Sequence, residues 1–358
     1  MRSPGRFVVL FLFCLACLAP VAPSMAETLD ADSRAALIAE IKANPADLEK
    51  WESGSQQLIL SCMKERNYLS RMAQSRALIE LIAQRLSLDE GKPLSDPAKV
   101  ILLQAASVIQ SGVFVLYEEN EALQQWRNDI YTQIMKLPDC DSMECAYIQA
   151  WISALQATLT TNESERVRMF DFAYDRYGRV GQLLPEKDGA TEQVMLHNLY
   201  IYTLSADAIL SNSPQRRALL FSRADQHAQQ AQKYQPQGER LSEILPELIN
   251  RALLQLNMVK AYCAKSSVKR EAYLAAADKN MAALTRLNDE AFRYFFQAEK
   301  AVIRGDWKNA MKNLHLVPVE FRPYLLTVPC IRNAKNPMVV AYKNEIRQTI
   351  NRQAGSVR

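Results

Sequence analysis

The chain has 358 residues, of which 49% are hydrophobic and 23% are charged, and its formal charge at pH 7 is +4. This balance is ordinary for a folded soluble protein. Because no long run of lysine and arginine occurs, the sequence lacks the electrostatic signature of a nucleic-acid-binding protein. Glycine is scarce, at 10 residues, which disfavours a turn-rich β fold and favours long helices.

The first 26 residues have the three-part pattern of a secretory signal peptide. Arg2 and Arg6 precede an apolar stretch at 7–19, and a small-x-small cleavage site ends at Ala26. The apolar stretch is shorter than the roughly 20 residues that a membrane-spanning helix needs. We therefore expect residues 1–26 to be removed, leaving a bacterial periplasmic or secreted protein with no transmembrane span.

Beyond the leader, apolar residues recur at helical spacing and no convincing strand pattern appears. We expect one all-α helical-repeat domain over 27–358, in which 317–358 breaks the rhythm and forms a C-terminal cap. The segment 100–117 is nearly apolar all round, but its glutamines favour a buried core helix over a membrane span. The predicted helices lie near 33–43, 46–65, 67–87, 100–117, 118–136, 143–160, 163–184, 190–211, 215–234, 240–264, 268–286, 288–304, 306–315 and 337–353.

Three groups of residues have the spacing of a helical repeat. One runs from Ala224 through Ala228 and Ala231 to Pro236, and another joins Asn44-Pro45 to Trp51. In the third, Gly305 makes the inter-helix turn, an aromatic residue follows and Ala310 permits close crossing. These spacings resemble the tetratricopeptide (TPR) superfamily in degenerate form. The resemblance implies an α-solenoid of antiparallel helix pairs, and an irregular helical bundle is the alternative.

Two hypotheses about the cysteines follow from the predicted export. Leu15-Ala16-Cys17 resembles the end of a bacterial lipobox, so a lipid anchor at Cys17 is an alternative to cleavage after Ala26. In an oxidising compartment, Cys140 and Cys145 are candidates for a local disulfide, because a turn at Pro138 and Asp139 relaxes the regular helical spacing that would hold them too far apart. The pairing of the other mature cysteines stays open; these are Cys62, Cys263 and Cys330.

The sequence contains no motif for catalysis, for a cofactor or for a metal ion. The sequence has no Walker nucleotide-binding loop, no dinucleotide-binding motif and no Gly-x-Ser-x-Gly motif of the serine hydrolases. The chain has three histidines, His197, His227 and His315, and each lies alone on its own predicted helix. We interpret them as isolated surface or groove residues, and we expect a protein that is not an enzyme and that needs neither a cofactor nor a metal.

The aromatic helix at 163–184 offers the best binding surface. Phe170, Tyr174 and Tyr177 share one face at i, i+4 and i+7. With Arg179, and with Tyr200 on the next helix, they are a candidate groove wall for an extended peptide, since tyrosine and arginine are common anchors. Core packing is the competing interpretation of the same face.

Three functions remain open at this stage. The first is a protein- or peptide-binding scaffold of the bacterial cell envelope, because helical repeats present extended binding surfaces. The second is a small-ligand-binding ancillary component of a solute transporter, which would require an enclosed aromatic cavity. The third is a cell-wall glycan enzyme with an unrecognised pair of carboxylates. The scaffold is the leading hypothesis.

Overall fold

The computed structural model describes most of the chain beyond its leader. The described residues are 29–64, single positions between 74 and 84, 143–184, 190–234, 245–284, 290–319, 322, 325–326 and 328–355. The predicted signal peptide, Cys17, Cys140 and the helix predicted at 100–117 lie outside these ranges, and so does the side chain of Cys145. The chain divides into two compact units, 1–152 with 347–358 and 153–346.

Twelve helices and no strand make up the secondary structure of the described residues, and the predicted all-α class is confirmed. The helices are α1 (Ala31–Ala43), α2 (Leu48–Lys64), α3 (Met143–Leu159), α4 (Glu163–Leu183), α5 (Ala190–Leu210), α6 (Pro214–Lys233), α7 (Leu245–Cys263), α8 (Ser267–Ala282), α9 (Glu290–Arg304), α10 (Trp307–Leu316), α11 (Pro329–Arg332) and α12 (Pro337–Gly355). None of them combines the length and apolar character needed to cross a bilayer.

In the first unit, α1 and α2 form a close helical hairpin. A Cβ atom at Gly54 would lie 2.6 Å from Cδ1 of Ile41, so any larger residue there would force the Ile41 side chain to move. Trp51, which follows the Asn44-Pro45 junction, is 1% exposed. The first turn of α2 therefore carries a buried indole close to this junction.

In the second unit, helices pack in neighbouring pairs. The extensive pairs are α5 with α6, α7 with α8, and α9 with α10, while α5 also packs on α7 and on α4. Two of the pairs are joined through small residues, because Ala224 and Ala231 on α6 and Ala310 on α10 have no exposed surface. Absence of a long side chain lets the neighbouring backbone approach closely.

The helix boundaries follow from local polar signals. Asn162, Ser213, Ser266 and Asp306 cap α4, α6, α8 and α10, each accepting a hydrogen bond from a backbone N–H in the first turn. Gly305 has φ of +74°, in the left-handed region that favours glycine, and it makes the predicted turn between α9 and α10.

The C-terminal part of this unit has an aliphatic core. Its buried members come from α7, α8, α9 and α11 and from Leu284; they are Leu254, Met258, Ala261, Leu274, Ala277, Met281, Leu284, Phe296, Ile303 and Cys330. The beginning of α12 is tied to this region, since Lys343 Nζ donates to the carbonyls of Arg332 (2.7 Å) and Ala334 (3.0 Å). These donations satisfy carbonyls at the end of α11.

Candidate functional site

The aromatic face of α4 is buried against α5. Phe170 and Tyr177 have no exposed surface and Tyr174 is 8% exposed. The three residues do share one face, but that face is part of the core. Phe170 and Tyr177 therefore cannot contact a peptide in this structure, and the groove-wall interpretation is corrected for both. The physical reason is that α5 supplies polar partners that let tyrosines be buried there.

Those partners fix α4 to α5. The Tyr177 hydroxyl bonds with Thr203 Oγ1 at 3.2 Å, and the Tyr174 hydroxyl donates to Asp207 Oδ2 at 3.2 Å. Burial, followed by the nearby Asp207 carboxylate, raises the pKa of Tyr174 well above its ordinary value. Tyr174 is consequently a neutral donor at every physiological pH.

Tyr200 is the residue through which the aromatic face reaches the surface. It is half-buried on α5, and its hydroxyl donates to the backbone oxygen of Tyr174 at 3.2 Å. Its ring lies nearly parallel to Tyr174 (centroids 6.4 Å apart) and stacks on His227 of α6 at 4.0 Å and 10°. Tyr202, two positions along α5, is next to Arg251 of α7 instead, so it does not join this face.

Two of the three histidines meet beside Tyr200. His197 Nδ1 on α5 and His227 Nδ1 on α6 are 2.9 Å apart, and the ring of Tyr234 lies 5.8 Å from that of His197. The interpretation of His197 and His227 as isolated residues is therefore wrong. His315, the third, is exposed on α10, where its ring lies edge-on to Tyr342.

Both imidazoles of the pair are held in the neutral form. Burial lowers the pKa of His197. Burial, then the neighbouring His197 and the Arg223 guanidinium, lower the pKa of His227 to about 4. With one proton on one Nδ1 and a lone pair on the other, the 2.9 Å contact is a hydrogen bond between two neutral rings.

Arginines flank the aromatic groups on the surface side. The Arg223 guanidinium lies 4.8 Å from the centroid of the Tyr174 ring, which is a cation–π distance. Arg179 is exposed on α4 and donates to Gln182 of the same helix at 3.5 Å. Arg216 is held deeper, with Nη2 at 2.7 Å from Asp207 Oδ2 and 3.5 Å from Asp171 Oδ1.

We define the surface site by its half-buried members, Tyr200, His197, His227, Arg223 and Tyr234. It combines flat rings held in fixed orientations, neutral imidazole nitrogens and one guanidinium. Such side chains bind other molecules at low entropic cost, because packing already restricts their rotamers. Within the described ranges, no three or more His, Cys, Asp and Glu side chains cluster as metal ligands.

The cysteines that the structure describes are not bonded to one another. Cys62 and Cys330 are buried thiols and Cys263 is half-buried. Burial raises the pKa of Cys263 and raises that of Cys330 well above its ordinary value, so both thiols are protonated and weakly nucleophilic. The disulfide between Cys140 and Cys145 stays a prediction.

No protein-family model, no curated protein and no solved structure matches this chain.

Sequence reasoning missed the histidine pair because its two residues are 30 positions apart. One feature of the sequence could have indicated the histidine pair. In an antiparallel helix pair, residues equally distant from the turn lie side by side, and His197 and His227 are each 15 positions from Asn212. Counting outward along both helices from the Ser211–Ser213 turn would have predicted that the two histidines are neighbours.

Proposed function

We propose that this chain is a non-enzymatic, exported TPR-like protein of the bacterial cell envelope, and that it binds a polypeptide segment at the surface site on α5 and α6. The leader pattern supports export, and the stacking of neighbouring helix pairs supports the repeat-like architecture. The chain works in the periplasm or outside the cell, and a lipid anchor at Cys17 is the alternative to release.

One observation carries the binding proposal. Tyr200 is half-buried, and its ring contacts the rings of Tyr174 and His227 while its hydroxyl donates to the Tyr174 carbonyl. A partly exposed aromatic side chain with so little freedom loses little entropy when a partner covers it. Beside it, Arg223 offers a guanidinium to backbone carbonyls or to carboxylates.

The charges around the site indicate the chemistry of the segment. Arg223 lies beside the Tyr174 and His227 rings, whereas Asp207 is engaged by Arg216. An extended segment with one aromatic or aliphatic side chain and a nearby carboxylate complements this arrangement. The ring would cover Tyr200 and the carboxylate would reach Arg223.

A displayed library of random peptides tests the proposal. Peptides selected on the full chain should share an apolar residue near an acidic one. Arg223→Gln and Tyr200→Ala should each weaken the binding of a selected peptide about tenfold or more, because anchor residues dominate such interfaces. Fluorescence anisotropy with the labelled peptide measures this.

Val268→Ser is the matched control, because Val268 is 78% exposed on α8 and lies outside the site. Its affinity should equal that of the wild type. Failure to select any peptide, or equal loss of affinity in Val268→Ser and Arg223→Gln, would overturn the proposal.

A further inference from the structure

Two imidazole nitrogens face one another across the junction of α5 and α6, and this geometry goes beyond peptide recognition. We propose that His197 and His227 form a two-imidazole site for a late first-row transition-metal ion, Ni(II) or Cu(II), in which the ion replaces the shared proton between their Nδ1 atoms. Imidazole nitrogen is a preferred ligand of these ions.

The separation of the two nitrogens selects the geometry of the ion. With metal–nitrogen bonds of about 2.0–2.1 Å, two nitrogens 2.9 Å apart subtend an angle of about 90° at the metal. That angle joins neighbouring positions of a square-planar or octahedral ion. A tetrahedral ion such as structural Zn(II) would need the nitrogens roughly 0.4 Å farther apart at the same bond length.

Neighbouring aromatic rings restrict the motion of both imidazoles. The His227 ring stacks on Tyr200 at 4.0 Å, and Tyr200 is in turn anchored to the Tyr174 carbonyl. His197 lies between His227 and the Tyr234 ring. Neighbouring groups that orient metal-binding imidazoles raise metal affinity. Both rings are neutral near pH 7, as ligands must be. Binding needs a shift of one ring proton from Nδ1 to Nε2 and a turn of the rings, because the two lone pairs must converge on an ion that lies off the line between the nitrogens.

Two features set the strength of the site. Among the described residues two ligands meet at this site, and water completes the coordination shell, which leaves positions open to a bound molecule. The Arg223 guanidinium, whose charge already lowers the pKa of His227, opposes a bound cation. A moderate affinity follows, and removal of the Arg223 charge should increase it.

Isothermal titration of the full chain with Ni(II), with its thiols kept reduced, tests the proposal. We expect one equivalent to bind to the wild type. His197→Phe and His227→Phe keep a ring in place but remove a ligand, and each should weaken this binding at least about tenfold. His315→Phe is the matched control, because the chain has three histidines and His315 lies outside the pair; it should bind as the wild type does.

Two further measurements separate a metal site from a plain hydrogen bond between histidines. X-ray absorption of the Ni(II) complex should show two imidazole ligands at about 2.0–2.1 Å. Arg223→Gln should bind Ni(II) several-fold more tightly without any change in the histidine ligands. Absence of binding, or equal binding by His227→Phe and the wild type, would show that the pair is only a hydrogen bond and overturn the proposal.

Discussion

The helix pairs of the second unit meet through two kinds of buried interface. Around α7, α8 and α9 the buried cluster is mainly apolar, with members such as Leu254, Leu274 and Ile303. Between α4, α5 and α6 the buried contacts also include tyrosine hydroxyls, an Asp207–Arg216 ion pair and two histidines. The neighbouring pairs thus share an architecture while differing in chemistry.

The two kinds of interface contribute differently to stability and to recognition. Burial of aliphatic side chains is the dominant favourable contribution to folding. Buried polar groups gain less, because hydrogen bonds in the fold replace hydrogen bonds to water. Their geometry, however, is directional, so the α4–α5–α6 interface fixes Tyr200 and the histidines in one arrangement. We therefore expect substitutions in the aliphatic core to affect stability more than substitutions in the polar interface.

Leu274→Ala should produce the largest loss of stability. Leu274 on α8 has no exposed surface and lies inside the aliphatic core. Its truncation should lower the free energy of unfolding by about 2–5 kcal/mol, measured by urea denaturation. Leu219→Ala is the control, because Leu219 is 60% exposed on α6, and it should change stability by no more than about 0.5 kcal/mol. Similar losses in both variants would contradict the assignment of the core.

Glu299 sharpens the comparison, because it is a carboxyl group buried in the aliphatic region. It is 6% exposed, and its Oε1 accepts a hydrogen bond from the Cys330 backbone N–H at 3.4 Å. Burial raises the pKa of Glu299 from its ordinary 4.5 to about 7, although the bonds from Cys330 oppose the shift. The folded chain therefore keeps this proton at pH values where the unfolded chain has lost it.

The raised pKa of Glu299 determines how stability depends on pH. The contribution of Glu299 to stability is fully present below about pH 4.5 and is lost as the pH rises towards 7. Glu299→Gln should abolish that loss, leaving stability nearly unchanged at pH 4.5 and raising it by up to roughly 3 kcal/mol at pH 8. Denaturant unfolding at both pH values measures the difference.

Glu271→Gln is the control for Glu299. Glu271 is 51% exposed on α8, and its hydrogen bond from Arg304 lowers its pKa. This variant should not gain stability at pH 8 and should lose at most about 1 kcal/mol there. If Glu299→Gln were equally stabilising at pH 4.5 and pH 8, its effect would come from packing rather than from ionisation.

Most of the helices could be predicted from the sequence because their signals are local. Asn162 and Gly305 mark a helix start and a turn through their own side chain and backbone. The small α11 was missed, since four residues are too few to show a helical period. The groove-wall prediction was wrong for Phe170 and Tyr177 for a different reason. A helical period shows that Phe170 and Tyr177 share a face, but it does not show whether a neighbouring helix covers that face.

Asp207→Asn in the polar interface should have the smallest effect of the three substitutions. Burial raises the pKa of Asp207 despite its bonds with Arg216; burial also lowers the pKa of Arg216, but the bonds to Asp207 outweigh this and its net shift is upward. Because Asp207 is 2% exposed and Arg216 28%, desolvation of the carboxylate dominates the pair. Asparagine keeps an acceptor for Tyr174, so the loss should be about 1 kcal/mol. Asp278→Asn, which alters a carboxylate that is 47% exposed and paired with Lys300, should cost no more than about 1 kcal/mol. A loss in Asp207→Asn as large as that in Leu274→Ala would mean that the polar interface, like the aliphatic core, carries the stability of this unit.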